Sequence, residues 1–163
     1  MVIGLGNPDR GDDGVGALVI DALSGRLPDG VETMIRTGDM LALVDDWAGA
    51  HAVICIDAAA PVGAPGRIHR IDGLAGGLLP ETGLASSHAF GLAEAIALAG
   101  VLGTAPATLI VYAIEGSNFD GGAPISAAVA GVVEESAERV IAEIALLRRL
   151  GTPLWPCGDS PSA

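Results

Sequence analysis

Lysine is absent from this 163-residue sequence, and its eight basic residues are arginines scattered along the chain. Against 20 acidic residues they leave a formal net charge of −12. Tight nucleic-acid binding requires a clustered basic surface that displaces counterions from phosphates. The composition therefore argues against a nucleic-acid partner, and the negative charge is better suited to a cation or a basic peptide segment.

Aromatic residues are also scarce, at 3% of the sequence, whereas 50% of it is hydrophobic and mostly aliphatic. This balance is typical of buried parallel strands covered by helices, and not of an aromatic-rich β-sandwich. A chain of this length needs only one hydrophobic core. We therefore predict a single domain over residues 1–150, followed by a disordered tail over residues 151–163.

The sequence has only two cysteines, Cys55 in an apolar run and Cys157 in the tail, which provide no disulfide framework. Long hydrophobic runs are missing too, since none reaches the ~18 apolar residues of a membrane span. The N-terminal stretch MVIGLG is too short for a signal peptide and lacks its basic flank. We therefore expect a soluble cytoplasmic protein that does not associate with membranes.

Short apolar runs of strand length alternate with segments of helical periodicity. Strands are predicted near residues 1–6, 31–36, 51–58, 67–72 and 107–115, and helices near residues 14–25, 39–49, 88–103 and 124–150. The alternation favours an α/β fold, a three-layer sandwich with a mainly parallel twisted central sheet and helices on both faces. The fourth strand alternates polar and apolar residues, which indicates an edge position.

The most distinctive segment is the glycine-rich loop GLGNPDRGDDGVG, which directly follows the first strand. It is not a dinucleotide fingerprint, because Asp9 stands where the third glycine of G-x-G-x-x-G belongs. It also lacks the Lys-Ser/Thr pair of a P-loop, and Asp12 and Asp13 would repel a phosphate. The loop therefore favours a cation over an anion.

Open α/β sheets bind their ligands beyond the carboxyl ends of the parallel strands. Asp13 follows the first predicted strand, Asp57 closes the third, and His88 stands at the start of a helix. Two carboxylates and one imidazole suit a divalent transition-metal ion and leave a coordination position open. Other polar residues that follow the strands are Asn7, Asp9, Arg10, Asp12 and Glu115.

Each candidate also has a structural interpretation. Asp12 is best interpreted as an N-cap of the first helix, and Asp13 can share that role. Asp57 can simply bind loop amides, and His88 can be an exposed residue of a helix start. A helix N-terminus disfavours a cation, however, which keeps an imidazole neutral and ready to bind a metal.

The remaining candidate groups are assigned structural roles. His51 precedes a strand and His69 lies on the alternating edge strand, whereas Cys55 is a small core residue. Ser86 and Ser87 are adjacent to His88, but sequence neighbours seldom reach the geometry of a nucleophile and its base. The chain also lacks the G-x-S-x-G elbow of the α/β-hydrolases.

Four segments resemble, in order and spacing, those of the hydrogenase maturation endopeptidases: GLGNPDRGDDGVG, CIDA, SSHAFGLAEA and VYAIEG. The resemblance extends over residues 1–147. It implies an α/β sandwich and a cytoplasmic aspartic-type protease, which removes the C-terminal extension of a nickel–iron hydrogenase large-subunit precursor after nickel insertion. The sequence departs from many relatives in the segment MIRTGDML. Those relatives have an acid followed by glycines after the second strand, whereas here Asp39 is displaced from that position and Arg36 precedes it.

By this resemblance Asp13, Asp57 and His88 form the catalytic metal site, which engages nickel carried by the precursor or another divalent metal in its place. Whether the metal or a carboxylate activates the water stays open. A non-proteolytic, nickel-dependent maturation chaperone is an alternative, as is a Rossmann-like domain whose acids cap helices. A peptidyl-tRNA hydrolase-like esterase is a further alternative, because such enzymes share the motif GLGNP. Binding tRNA requires a basic surface, however, which conflicts with the net charge of −12. The oligomeric state is open, and a monomer is compatible with the sequence.

Overall fold

The computed structural model describes residues 1–75 and 89–151, without the side chains of Ala89 and Phe90. Within these ranges the strands are β1 (Val2–Leu5), β2 (Thr33–Arg36), β3 (Ala52–Ala59), β4 (Ile68–Asp72) and β5 (Thr108–Glu115). The helices are α1 (Val15–Leu23), α2 (Leu43–Asp46), α3 (Ala89–Leu102), α4 (Ala127–Ala130) and α5 (Val133–Arg149). Two 3₁₀ turns, Gly11–Gly14 and Met40–Ala42, precede α1 and α2.

The five strands form one sheet in the order β2-β1-β3-β5-β4. β1 pairs in parallel with β2 and β3, and β3 pairs in parallel with β5, whereas β4 is antiparallel to β5. Every residue of β3 is buried, as expected for an apolar strand at the centre of such a sheet. The predicted α/β sandwich, its mainly parallel sheet and the edge position of β4 are confirmed.

Alternation along the strands divides the core into two layers, one on each face of the sheet. Ile54 and Ile56 of β3 pack with α1 and α5 on one face. Val53 and Cys55 pack with α2 and α3 on the other face. Because successive residues of a strand point to opposite faces, Asp57 lies on the face that α2 and α3 cover.

The first helix differs slightly from the predicted amphipathic pattern. Gly25 adopts a φ of +72°, as expected just beyond a helix end. Helical periodicity places Leu18 on one face with Val15, Val19 and Leu23, but Leu18 is 38% exposed, whereas Ile20 is only 8% exposed. The buried face of α1 is therefore rotated toward Ile20, which lies beside Gly4 of β1 where no side chain intervenes.

The predicted helix over residues 124–150 is wrong at its start. Pro124 lies before the helix, and the hydroxyl of Ser126 accepts a hydrogen bond from the Val129 N–H, so Ser126 is the N-cap of α4. A turn at Gly131 and Val132 then separates α4 from α5. The segment predicted as a helix over residues 39–49 is likewise a 3₁₀ turn followed by the short helix α2.

Residues 73–87, which connect the predicted fourth strand to the predicted helix near residues 88–103, and the predicted tail over residues 151–163 lie largely outside the described residues. The single-domain boundaries therefore stay predictions. Among the helices that the structure describes, none combines the length and apolar character that crossing a bilayer requires.

Candidate active site

The glycine-rich loop turns back tightly at the end of β1, and two of its glycines are required for this. A Cβ atom added to Gly6, whose φ is +112°, would lie 2.0 Å from the Asp13 carbonyl oxygen. A Cβ atom on Gly16 would lie 2.4 Å from the Leu5 carbonyl oxygen and 2.9 Å from that of Ile56. Any larger residue would push α1 away from the ends of β1 and β3.

This close packing holds Asp13 against the carboxyl end of β1. Asp13 belongs to the 3₁₀ turn Gly11–Gly14 and is 1% exposed. The Asn7 N–H donates a hydrogen bond of 2.9 Å to its Oδ2 atom. Gly14 is the N-cap of α1 and no side chain caps that helix, so Asp13 does not have the capping role considered above.

Asp57 lies at the same edge of the sheet, on the strand next to β1. It is fully buried and lies one residue beyond the Gly4–Ile56 pair that joins β1 to β3. Its partner in the register with β5 is Ala113, a small residue on the same face of the sheet. Asp13, in the turn after β1, and Asp57, two residues before the end of β3, therefore both lie toward the carboxyl edge of the sheet.

His88 lies outside the described residues, so its position is not established here. The described helix α3 begins at the next residue, Ala89. α3 leads into β5, which starts at the amino edge of the sheet, so the beginning of α3 lies toward the carboxyl edge. There Gly91 packs on Met40, and a Cβ atom added to Gly91 would lie 2.7 Å from the Met40 Cβ.

Without residue 88, the described ranges contain no group of three or more His, Cys, Asp or Glu side chains arranged to hold a metal ion. Asp13 and Asp57 are the two predicted ligands that these ranges include. Carboxylate oxygens fit the hard or borderline divalent ion that the sequence predicts.

The interpretation of Asp12 as a cap of the first helix is wrong. Its buried carboxylate turns away from α1 and binds the loop that follows β5. The Ser117 N–H donates to Asp12 Oδ2 at 2.7 Å, and the Ser126 N–H donates to Oδ1 at 2.6 Å. Burial acts to raise the pKa of Asp12, but hydrogen bonds from Ser117, Ser126 and Asn118 outweigh it, and the pKa is lowered.

Glu115 closes β5 and has a comparable role in a different loop. Its buried Oε2 atom accepts N–H groups of Val62, Gly63 and Ala64 at 2.9, 2.8 and 3.0 Å. His69 Nε2 lies 2.7 Å from the other carboxylate oxygen. The hydrogen bond from Gly63 is the largest cause that lowers the pKa of Glu115, to about 2, despite its burial. Glu115 thus anchors the β3–β4 loop, and the structural role predicted for His69 is confirmed.

Cys55 is confirmed as a core residue. Its side chain is fully buried in the layer that α2 and α3 cover. Burial, reinforced by the nearby Asp57 carboxylate, raises the pKa of the thiol well above its usual range. A thiol that stays protonated in this way is a poor nucleophile at neutral pH.

The partners of these anchoring acids are not evident from the sequence. Ser117, Asn118 and Ser126 lie more than a hundred residues from Asp12, and only the fold brings them together. The available signal is the loop GSNFDGGA after β5, whose backbone N–H groups require acceptors wherever they are buried.

Comparison with known proteins supports the resemblance seen in the motifs. The model of the HycI family, described as hydrogenase maturation protease, matches residues 32–143, which is more than half of the chain. The chain matches none of the curated protein sequences with which it was compared.

Several solved structures share the fold over most of their length. The hydrogenase maturating endopeptidase HybD of Escherichia coli is 26% identical with a TM-score of 0.74, and 98% of each chain is covered. The hydrogenase 2 maturation peptidase of Thaumarchaeota archaeon SCGC_AB-539-E09 is 26% identical with a TM-score of 0.63, covering 93% of this chain and 97% of that one. The HybD protease of Thermococcus kodakarensis, at 22% identity and a TM-score of 0.69, covers 88% and 96% respectively, and shows the fold alone.

Proposed function

The chain belongs to the hydrogenase maturation protease family, and we propose that it is an endopeptidase that removes the C-terminal extension of a nickel–iron hydrogenase large-subunit precursor. The observation that carries this proposal is the position of Asp13 and Asp57. Asp13 is buried in the turn after β1, and Asp57 is buried in β3 one residue beyond its last pair with β1, toward the edge where open α/β sheets bind their ligands. The reaction takes place in the cytoplasm, as the sequence analysis predicts.

We assign the recognition of nickel to Asp13, Asp57 and His88, with the nickel ion carried by the precursor as part of the substrate. The donors suit such an ion, because two carboxylates and an imidazole are borderline to hard ligands. The hydrogen bond from the Asn7 N–H orients the Asp13 carboxylate before any ligand arrives. The position of Ala89 at the start of α3 supports the assignment of His88, the residue before it.

Binding the precursor through its nickel would hold the scissile peptide bond in the cleft, which replaces a bimolecular encounter by an intramolecular reaction. The metal supplies Lewis acidity, which polarises a carbonyl group or lowers the pKa of a bound water. Alternatively, Asp13 or Asp57 takes the proton from the attacking water as a general base. Both routes require the two carboxylates to be ionised and correctly oriented.

The proposal is tested by the intact mass of a nickel-loaded large-subunit precursor before and after incubation with the protein. We expect the mass to fall by that of a C-terminal peptide, and a nickel-free precursor to stay intact. Asp57→Asn and His88→Ala should each abolish this trimming while the far-UV circular dichroism spectrum stays unchanged.

Two outcomes would contradict these assignments. An unchanged precursor mass together with nickel-dependent complex formation would identify a non-proteolytic maturation chaperone instead. Trimming at the wild-type rate by Asp57→Asn or His88→Ala would show that the altered residue does not take part in the reaction.

A further inference from the structure

The outer edge of the sheet at β2 is open in the described part of the chain. β2 is the first strand in the sheet order, and β1 is its partner there. On the inner side, the Val2 N–H donates to the Glu32 carbonyl at 2.8 Å and the Gly6 N–H donates to the Arg36 carbonyl at 3.1 Å. Because backbone groups alternate in direction along a strand, those of Thr33 and Ile35 point away from the sheet.

In the part of the chain that the structure describes, this edge has few of the features that usually protect an exposed strand from pairing. Proteins place lysine, proline or a bulge on such edges, or cover them with another element. β2 is short, with the four residues TMIR, but it contains no lysine, proline or bulge and no described element covers it, and the side chain of Ile35 is 43% exposed. Two outward N–H groups and two outward carbonyl groups are therefore available for strand addition.

β2 is also held firmly in place at its carboxyl end. The Arg36 guanidinium forms a bidentate ion pair with Asp46 of α2, in which Nε lies 2.6 Å from Oδ2. A strand that is fixed before binding loses little conformational freedom when a peptide pairs with it.

The carboxyl end of β2 leads directly to the candidate active site. The Arg36 carbonyl accepts a hydrogen bond from the Gly6 N–H. Asn7, which follows Gly6, donates its N–H to the Asp13 carboxylate. A strand added outside β2 would lie about 10 Å from β1 in the plane of the sheet. About three extended residues span that distance.

We propose that the outer edge of β2 binds the C-terminal extension of the precursor as an added antiparallel strand. This inference rests on the proposed function. The extension follows the scissile bond, so its chain leaves the cleft beside Arg36 and runs toward Thr33, opposite to the direction of β2. The paired residues then begin about three positions beyond the cleavage site.

The pairing is carried by main-chain hydrogen bonds at Thr33 and Ile35, so it requires an extended peptide more than a particular side-chain sequence. The exposed side chain of Ile35 adds an apolar contact on the face of the sheet that α1 covers. The protein thereby recognises the extension separately from the nickel. The distance between the catalytic cleft and the outer edge of β2 then determines which peptide bond is cut.

Ile35→Pro tests the pairing, because proline removes the outward N–H and leaves the inner ladder to β1 intact. Ile35→Ala is the matched control, since it removes the side chain but keeps the N–H. We expect kcat/KM for the nickel-loaded precursor to fall about tenfold in Ile35→Pro, the loss of one or two hydrogen bonds, and by less than about threefold in Ile35→Ala. Thermal unfolding of both variants shows whether the fold is retained.

A shortened precursor separates pairing from general damage. With only three residues beyond the cleavage site, wild type and Ile35→Pro should cut at equal rates, because neither can pair with the missing strand. Wild-type kcat/KM for Ile35→Pro on the full precursor, or an equal loss on both substrates, would overturn the proposal.

Hydrogen exchange tests the pairing without any cleavage. A synthetic peptide of the extension should slow exchange at the Thr33 and Ile35 amides of the wild-type protein, and unprotected amides at saturating peptide would overturn the inference. If the wild type cuts no precursor but these amides become protected, then the proposed proteolysis fails while the pairing stands.

Discussion

Two adjacent acids in the glycine-rich loop, Asp12 and Asp13, are both buried but face different surroundings. Asp12 accepts hydrogen bonds from Ser117, Asn118 and Ser126, which belong to a loop on the other side of β3. Asp13 accepts a hydrogen bond from Asn7, six residues earlier in its own loop. Asp12 therefore connects the glycine-rich loop to the loop that follows β5, and the Asn7 N–H orients Asp13 at the end of β1.

Glu115 and Asp57 are the buried acids of β5 and β3 near the carboxyl edge of the sheet. Glu115 accepts three N–H groups of the β3–β4 loop and also contacts His69. Asp57 lies beside Ala113 at the carboxyl edge, next to the end of β1. Burial alone does not identify a catalytic acid. The backbone N–H groups that they accept identify Asp12 and Glu115 as anchors of loops.

Asn substitutions at the two adjacent acids should give the largest and most distinct effects. Asp13→Asn should lower the rate of precursor trimming by at least about 100-fold, because a general base or charged ligand is lost, with little change in Tm. Asp12→Asn should cost about 1–3 kcal/mol of unfolding free energy, because its amide NH₂ would face a backbone N–H donor. Trimming kinetics and denaturant unfolding of both variants check this.

The control for this pair is the activity per folded molecule. Asp12→Asn, measured well below its unfolding transition, should retain most of the trimming rate. A loss of rate in Asp12→Asn as large as that in Asp13→Asn, at full folding, would show that the two acids do not have separate roles.

The next largest effect is expected for the anchor at the end of β5. Glu115→Gln keeps the shape of the side chain but removes the charge that strengthens its hydrogen bonds to Val62, Gly63 and Ala64. We expect a loss of about 1–3 kcal/mol of unfolding free energy, measured by denaturant titration. His69→Gln is the control and should cost less, since it leaves the three backbone hydrogen bonds in place. An equal loss in the two variants would assign the anchoring to the histidine.

Much of the fold could be predicted from local patterns because its strands are buried on both faces. The apolar runs around Cys55 and Val111 are strand-length hydrophobic segments, and both are strands in the structure. β5 ends on Glu115 as expected, whereas β3 continues two residues beyond Asp57, which the sequence predicts as its end. The start of the last helix could not be placed in this way. Pro124 is a common first-turn residue, but Ser126 caps α4 and Asp12 binds the Ser126 N–H from a distant part of the sequence.

The candidate site shows the same limit. Asp13 and Asp57 could be predicted to lie toward the same edge of the sheet, because parallel strands bring their carboxyl ends to one edge. The anchoring roles of Asp12 and Glu115 could not, because their partners are backbone amides, which carry no residue-specific signal in a sequence. The role of an acid is therefore determined less by its position in the sequence than by the loop whose backbone N–H groups it binds.

The smallest effect expected is a change with pH in the stability difference between wild type and Glu115→Gln. Folding lowers the pKa of Glu115 from its usual 4.5 to about 2, with the Gly63 hydrogen bond as the largest cause. Between these values the unfolded chain binds more protons than the folded one, so the stabilisation is fully present above about pH 4.5 and is lost as the pH falls toward about 2. The pH-dependent contribution of Asp12 to stability is the same in wild type and in Glu115→Gln, so it cancels in the difference between them. Urea unfolding at pH 7, 5 and 3 should therefore give an equal difference at the first two values and a smaller one at the third, whereas a difference independent of pH would show that the charge of Glu115 does not stabilise the loop.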